Sequence, residues 1–236
     1  MFQGKVCVMT GAVSGIGRLI AQQFAAHGCI IAFMDADRKS GVYLKNTLYR
    51  KFGTDVFFFQ GNAGKEEDLE IFASVVVERY GGIDYFINYA TFDKENLNSQ
   101  YDSMEIMQTA LQTSVAAPCI LDKIFKNHFE EDSVVVYTVP ERALFCQEDE
   151  RAYRMVRESV EALTRICAES YKGHVRVNCI CPDEIRSGDG INLADTICFL
   201  CDDKAGFING KSMGAECGLM KMTAYPEKGG WKIVCE

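Results

Sequence analysis

The sequence predicts an α/β protein built on a doubly wound parallel sheet, with helices on both faces. Short apolar runs alternate along the chain with longer segments of helical periodicity. Continuous apolar strands joined by crossover helices are typical of a parallel sheet that is covered on both sides. In addition, a glycine-rich turn follows the first apolar run, and an aspartate closes the second.

Six strands and five helices are expected in alternation. The strand-like segments are Lys5–Met9, Cys29–Asp35, Asp55–Gln60, Ile83–Tyr89, Ser133–Val139 and Val175–Cys181. The helical patterns are Gly15–His27, Arg38–Lys51, Lys65–Tyr80, Tyr101–Phe129 and Glu150–Tyr171. Glycines close several of these helices, including Gly28, Gly53 and Gly81. Because no linker, repeat or low-complexity segment interrupts the pattern, residues 1–236 are expected to form a single domain.

Composition narrows the function classes. The net charge is −8 and no basic stripe is present, which argues against nucleic-acid binding. No apolar run has the length of a membrane span, so no membrane partner is expected. The chain starts with a strand, and its eleven cysteines are scattered and odd in number. Free thiols in a reducing, cytoplasmic setting are therefore predicted.

Two cysteine pairs have spacings that allow a metal interpretation. They are Cys179 with Cys181 and Cys198 with Cys201. The first pair falls in a predicted strand and the second in an apolar helical stretch, and three scattered histidines supply no obvious further ligands. Buried cysteines that act as small apolar residues explain both pairs, so no metal site is predicted.

The turn Thr10–Gly17 is the most informative stretch of the chain. It stands between a predicted strand and a predicted helix, which is the setting of a dinucleotide phosphate loop. Its glycines allow a tight turn, a close approach of the backbone to a pyrophosphate and close packing of helix on strand. The free N–H groups at the helix start then face the phosphates. The expected contacts are Gly11, Ser14, Gly15, Ile16 and Gly17.

Asp35 closes the second strand and is a candidate for cofactor selection. A carboxylate at this position can accept hydrogen bonds from the adenosine ribose hydroxyls, which favours NAD over its 2′-phosphorylated counterpart. The alternative is an aspartate that caps the next helix. Arg38 lies close by in sequence and could weaken the preference. We expect NAD as the cofactor.

These residues and several later stretches resemble the short-chain dehydrogenase/reductase family over nearly the whole chain. The stretches that carry the resemblance are Thr10–Gly17, Phe86–Ala90, Ala162–Arg165, Val175–Pro182, Phe199–Leu200 and Lys204–Gly210. Within the second of them, Asn88 and Ala90 match the family's Asn-Asn-Ala-Gly segment and are implied cofactor contacts. The resemblance implies a Rossmann-like sheet of about seven strands, a nicotinamide cofactor and a homodimer or homotetramer.

The family's chemistry rests on Ser, Tyr and Lys, with an assisting Asn. Tyr153 fits the tyrosine position, but Arg157 replaces the lysine that would bind the nicotinamide ribose and lower the tyrosine pKa. Arginine keeps the charge but is a poor link in a proton relay. Pro140 replaces the serine and offers no donor, while the hydroxyl of Thr138 lies two positions away. Ser114 replaces the Asn. Tyr153, Arg157 and Ser114 are the catalytic candidates.

The resemblance implies further cofactor contacts near the ends of two strands. Asn62 stands where the family places a side chain against the adenine, and it can donate as well as accept. After the sixth strand the implied contacts are Pro182, Ile185 and Ser187. The substrate-covering lid that the family carries after Ser187 is expected to be shortened.

Two functions therefore stay open at the level of sequence. The first is an NAD-dependent oxidoreductase that acts on a small alcohol or carbonyl substrate with impaired catalytic residues. The second is a non-catalytic dinucleotide-binding member of the family with a regulatory or structural role.

Overall fold

The fold is built around one parallel sheet. A computed structural model describes residues 2–13, 15–89, 103–139, 150–182, 189–215, 222–227 and 230–235. The strands of the sheet are β1 (Val6–Thr10), β2 (Ile30–Asp35), β3 (Val56–Gln60), β4 (Ile83–Asn88), β5 (Phe129–Thr138), β6 (Val175–Pro182) and β7 (Ser212–Ala215). Their order is β3-β2-β1-β4-β5-β6-β7, and neighbouring strands are parallel. The predicted single-domain, doubly wound fold is confirmed.

Helices cover both faces of the sheet. Within the described residues they are α1 (Gly15–Ala26), α2 (Arg38–Phe52), α3 (Glu66–Tyr80), α4 (Ser103–Leu111), α5 (Ala117–Phe125), α6 (Glu150–Ser170) and α7 (Asp189–Leu200). One core lies under α1, α2 and α7, and a second lies under α3 to α6. Each central strand supplies both cores in alternation: Val8 belongs to one core, and Cys7 and Met9 belong to the other. This explains why the strands are apolar throughout.

The strand order places a ligand crevice at the middle of the sheet. The chain runs outward from β1 to β3, returns, and then runs outward in the opposite direction from β4 to β7. In open α/β sheets, ligands bind at the carboxyl ends of the strands where the order reverses. Here that point lies between Thr10 at the end of β1 and Asn88 at the end of β4, which are paired in register.

The helix predicted over 101–129 differs from the structure in two ways. The described chain is helical without a break from Ser103 to Phe125, but a π-helical turn at Gln112–Ala116 lies between α4 and α5, and the helix ends at Phe125. Strand β5 then begins at Phe129 rather than Ser133. Its early part is irregular, because Asp132 has a φ of 62° and the pairing with β4 shifts between Ile83 and Tyr85.

The last two described strands form a separate sheet. The segments β8 (Met222–Glu227) and β9 (Gly230–Cys235) pair as an antiparallel hairpin.

In the described part of the chain, no helix combines the length and apolar character needed to cross a membrane. The described residues also contain no group of three or more His, Cys, Asp or Glu side chains that could hold a metal ion.

Candidate active site

A tight turn between β1 and α1 forms the first part of the site. Gly11 and Gly15 have φ angles of 69° and 50°, which residues with side chains rarely adopt. A Cβ atom on Gly17 would overlap the carbonyl oxygen of Gly11, so α1 packs against the turn only because residue 17 has no side chain. A Cβ atom on Gly15 would meet no described atom within 4 Å. The turn therefore leaves open space at the α1 N-terminus.

Open space at a helix N-terminus is a favourable setting for a phosphate group. The first N–H groups of a helix have no intrahelical acceptors, and the helix dipole favours negative charge beside them. Ile16 lies in this first turn, and its side chain is buried in the core beneath α1. Ile16 can therefore contact a phosphate only through its backbone. Ser14 lies outside the described residues.

Asp35 lies at the carboxyl end of β2, beside the turn. Its Oδ2 accepts from the Val13 N–H at 3.3 Å, and its Oδ1 accepts from the Asp37 N–H at 3.2 Å. Burial raises the pKa of Asp35, although these two N–H groups act in the opposite direction. The α2 cap is Asp37, whose Oδ1 accepts from the Ser40 N–H at 3.1 Å. The alternative that Asp35 caps the next helix is therefore wrong.

Asn62 lies next to Asp35 at the end of the neighbouring strand. The Gly61 N–H donates to the Asp35 carbonyl at 3.0 Å, which joins the two strand ends. The exposed Asn62 accepts the Gly64 N–H at its Oδ1 at 2.8 Å, and its own N–H donates to Asp68 at 2.8 Å. These bonds fix the position of Asn62 just beyond the end of β3.

A shallow groove of about 410 Å³ adjoins this end of the site. It runs between α2 and β3 and is lined by Arg38, Val42, Lys45, Asn46, Phe58 and Gln60. Arg38 and Lys45 give this groove two positively charged side chains.

Asn88 is a structural residue at the centre of the crevice. Its Oδ1 accepts from the Thr10 hydroxyl at 2.9 Å, and its Nδ2 approaches the Thr113 carbonyl at 3.4 Å. The residue is completely buried. The Asn88 amide therefore joins β1, β4 and the π-helical turn, and its contact with the cofactor stays a prediction.

The hydroxyl of Thr138 is also used within the fold. It donates to the Asn88 carbonyl at 3.0 Å and is almost entirely buried. Thr138 therefore does not present its hydroxyl to a substrate in place of the missing serine. Pro140 itself lies outside the described residues.

Ser114 differs from these two residues because its hydroxyl is unused. The residue is completely buried in the π-helical turn, and its Oγ has no hydrogen-bond partner among the described residues. Buried hydroxyls normally have partners, and isolated π-helical turns frequently occur at functional sites. The structure thus retains a polar atom at the position of the family's assisting Asn.

Arg157 lies on α6, one turn after Tyr153. Its Nε donates to Glu161 Oε1 at 3.0 Å, and the same oxygen accepts from the Ser212 hydroxyl at 2.9 Å and the Cys181 thiol at 3.6 Å. Tyr153 lies in the first turn of α6, and its side chain lies outside the described part. Glu161 is not among the site residues predicted from the sequence, although an acidic residue four positions after an arginine in a helix is a recognisable signal.

The remaining candidates lie at or beyond the end of β6. Pro182 is buried and is the last residue of that strand, so it reaches the carboxyl edge of the sheet. Cys179 and Cys181 are buried free thiols 4.0 Å apart on one face of β6. Ala90, Ile185 and Ser187 lie outside the described residues, and the shortening of the lid after Ser187 stays a prediction.

The fold and the glycine turn are typical of dinucleotide-binding α/β proteins. Comparisons with known proteins identify the family. The family model described as enoyl-(acyl carrier protein) reductase matches residues 11–192. A protein of Thermotoga maritima described as an uncharacterized oxidoreductase is 27% identical over 259 residues, which cover 96% of this chain and 100% of that protein. The chain therefore belongs to the short-chain dehydrogenase/reductase family of oxidoreductases.

More distant relatives extend the comparison. Mouse 15-hydroxyprostaglandin dehydrogenase, whose name specifies NAD(+), is 26% identical over 184 residues, or 76% of this chain and 66% of that enzyme. L-Sorbose reductase from Gluconobacter frateurii was solved with NADPH and L-sorbose. It has a TM-score of 0.75 and 20% identity, with 90% of this chain and 95% of that chain covered. The structural likeness supports the fold alone.

Proposed function

We propose that this protein binds NAD(H) and acts as a slow oxidoreductase on a small alcohol or carbonyl substrate. The observation that carries the proposal is the pairing of the glycine turn with Asp35. The turn leaves room for a pyrophosphate, and the Asp35 carboxylate is held beside it by the N–H groups of Val13 and Asp37. Each carboxylate oxygen can accept a second hydrogen bond, which suits the two hydroxyls of an adenosine ribose.

The candidate catalytic residues depart further from the family's pattern than the candidate cofactor-binding residues do. NAD(H), when bound, would supply the hydride acceptor or donor, and Tyr153 would exchange the proton with the substrate oxygen. Arg157 would supply positive charge near Tyr153, and the buried Ser114 hydroxyl would be the remaining neutral polar group. Losing one donor to a developing oxyanion costs about 2.7–4 kcal/mol, or roughly 10²–10³ in rate. A protein with Pro140 in place of the serine should therefore turn over slowly.

A non-catalytic, dinucleotide-binding role is the second candidate. The observation that favours it is the Thr138 hydroxyl, which donates to the Asn88 carbonyl instead of facing a substrate. We place the protein in the cytoplasm and expect a homodimer or homotetramer under either function. These two expectations come from the cysteine usage and from the family.

Cofactor binding is tested by titrating NAD and NADP into the wild-type protein and Asp35→Ala. Hydrogen bonds to a charged group contribute about 1.5–3 kcal/mol, so Asp35→Ala should weaken NAD binding roughly 10- to 100-fold. NADP should be affected less, because Arg38 and Lys45 line the adjoining groove. Asp55→Ala is the matched control, since Asp55 pairs with Arg79 at the opposite end of β3. Equal losses of NAD affinity in both variants would contradict the assignment of Asp35.

Catalysis is tested with a panel of small alcohols and carbonyls, using wild type, Tyr153→Phe and the double variant Pro140→Ser with Arg157→Lys. We expect low NAD-dependent turnover in the wild type, none with Tyr153→Phe and an increase in the double variant. If the wild type binds NAD, shows no turnover and gains none in the double variant, the non-catalytic role is the better one.

A further inference from the structure

We propose that Glu161 is a positioning residue that orients the Arg157 guanidinium toward the nicotinamide ribose, a role that rests on the NAD binding proposed above. Glu161 lies on α6 one turn after Arg157 and contacts Cys181, near the carboxyl end of β6, and Ser212, the first residue of β7. Glu161 is not among the site residues that the sequence predicts. Its role follows from the replacement of lysine by arginine at position 157.

The contact between the two side chains is specific. The Arg157 Nε lies 3.0 Å from Glu161 Oε1, and both side chains are largely shielded, with exposed fractions of 32% and 15%. Burial by itself raises the pKa of Glu161, but hydrogen bonds from Arg157 and Ser212 outweigh it and lower that pKa below its ordinary value. Glu161 is therefore an ionised acceptor at neutral pH, and the bond to Arg157 is charge-assisted.

The bond matters because arginine and lysine present their charge differently. A lysine ammonium is a compact point charge that needs no orientation, whereas a guanidinium is a planar fork whose donors point in fixed directions. Glu161 engages Nε, which lies at the base of the fork. Fixing Nε fixes the plane of the group, and with it the direction of the two terminal nitrogens.

Glu161 is itself held by two separate strands. Its Oε1 accepts from Ser212 on β7 and from Cys181 on β6, the residue immediately before Pro182. These bonds tie α6 to the carboxyl-terminal part of β6 and to the start of β7. They also raise a competing explanation, in which Glu161 only fastens the helix to the sheet. The experiment has to separate the two.

A double-mutant cycle on NAD affinity makes this separation. The four proteins are wild type, Glu161→Gln, Arg157→Met and the double variant, each titrated with NAD in the absence of substrate. Glu161→Gln replaces a charge-assisted bond with a neutral one, so we expect NAD affinity to fall about 5- to 10-fold when Arg157 is present. In the Arg157→Met background, the same change should alter affinity less than about twofold.

The outcomes separate this inference from the proposed function. Equal losses in both backgrounds, or no loss with Arg157 present, would overturn the positioning role and favour a fastening role for Glu161. If the wild type fails to bind NAD, the proposed function fails and this inference fails with it. Unfolding of each variant is followed in parallel, and a fastening role would appear there as a loss of stability that does not depend on residue 157.

Discussion

At the scale of single residues, the site depends on the absence of a side chain at Gly17. The carbonyl oxygen of Gly11 occupies the volume that a Cβ of residue 17 would need. Because the obstruction is backbone rather than a flexible side chain, it cannot move without shifting the turn itself. The packing that holds α1 against β1 and the shape of the phosphate space therefore depend on the same atom.

Gly17→Ala should consequently impair both stability and binding. Overpacking of this kind costs about 1–3 kcal/mol of unfolding free energy, and we expect NAD binding to be lost because the displaced turn no longer fits a pyrophosphate. Gly53→Ala is the matched control. Gly53 ends α2 with a φ of 70° and has no described atom near its Cβ position, so alanine there should cost about 1–2 kcal/mol.

The two variants separate global stability from the site. Urea unfolding should report comparable losses, while NAD titration should report a loss only for Gly17→Ala. Unchanged NAD affinity in Gly17→Ala would contradict the role given to the turn.

Residue identities were easier to predict than residue roles. The glycine turn and Asp35 were recognisable because their spacing relative to the strands is local in sequence. The roles of Asn88 and Thr138 depend on hydrogen bonds that reach across neighbouring strands, to Thr10 and between β4 and β5. Sequence spacing carries no information on such partners, so the use of the Asn88 amide within the fold could not be predicted from the sequence.

At the scale of elements, the π-helical turn between α4 and α5 is the main departure from the predicted pattern. Apolar periodicity continues through 101–129, and that pattern does not reveal a π-helical turn inside a long helix. The turn places Ser114 in the interior of the protein, where its hydroxyl has no hydrogen-bond partner among the described residues. An unsatisfied buried hydroxyl is a cost to stability, and such costs are commonly kept at functional sites.

Ser114→Ala should therefore raise the free energy of unfolding or leave it unchanged, with an expected gain of up to about 1 kcal/mol. Ser133→Ala is the matched control, because the buried Ser133 hydroxyl donates to the carbonyls of Ile83 and Glu130 at 2.8 and 2.6 Å. That variant should lose about 1–2 kcal/mol. Urea unfolding of both variants provides the measurement, and a loss in Ser114→Ala equal to that in Ser133→Ala would contradict the unused state of the Ser114 hydroxyl.

At the scale of the whole molecule, the sheet order explains why residues distant in sequence share one crevice. Thr10, Asp35, Asn62, Asn88 and Pro182 stand at or just beyond the ends of five parallel strands, so the topology alone brings them to one edge. This is also why the fold was predictable: continuous apolar strands that alternate with helices permit few other arrangements.

A ligand that binds across this edge should stabilise the entire fold. At about 100 times its dissociation constant, a ligand that binds only the native state adds about 2.7 kcal/mol, which in a chain of this size raises the melting temperature by about 5–10 °C. We expect this increment with NAD. Thermal unfolding with and without NAD is the measurement, and the absence of a shift at saturating NAD would contradict binding to the native state.

The same increment should depend on pH through Asp35. Burial raises the Asp35 pKa in the folded protein, so this group takes up its proton at a higher pH than an ordinary aspartate, whose pKa is about 3.9. Ribose hydroxyls need the ionised acceptor. The NAD-dependent stabilisation should therefore be complete above the Asp35 pKa and decline as the pH falls through it, beginning at a higher pH than an unperturbed aspartate would give. Asp35→Asn, which stays neutral throughout, should show a smaller increment without this decline, and a decline of equal size in that variant would assign the pH dependence to another group.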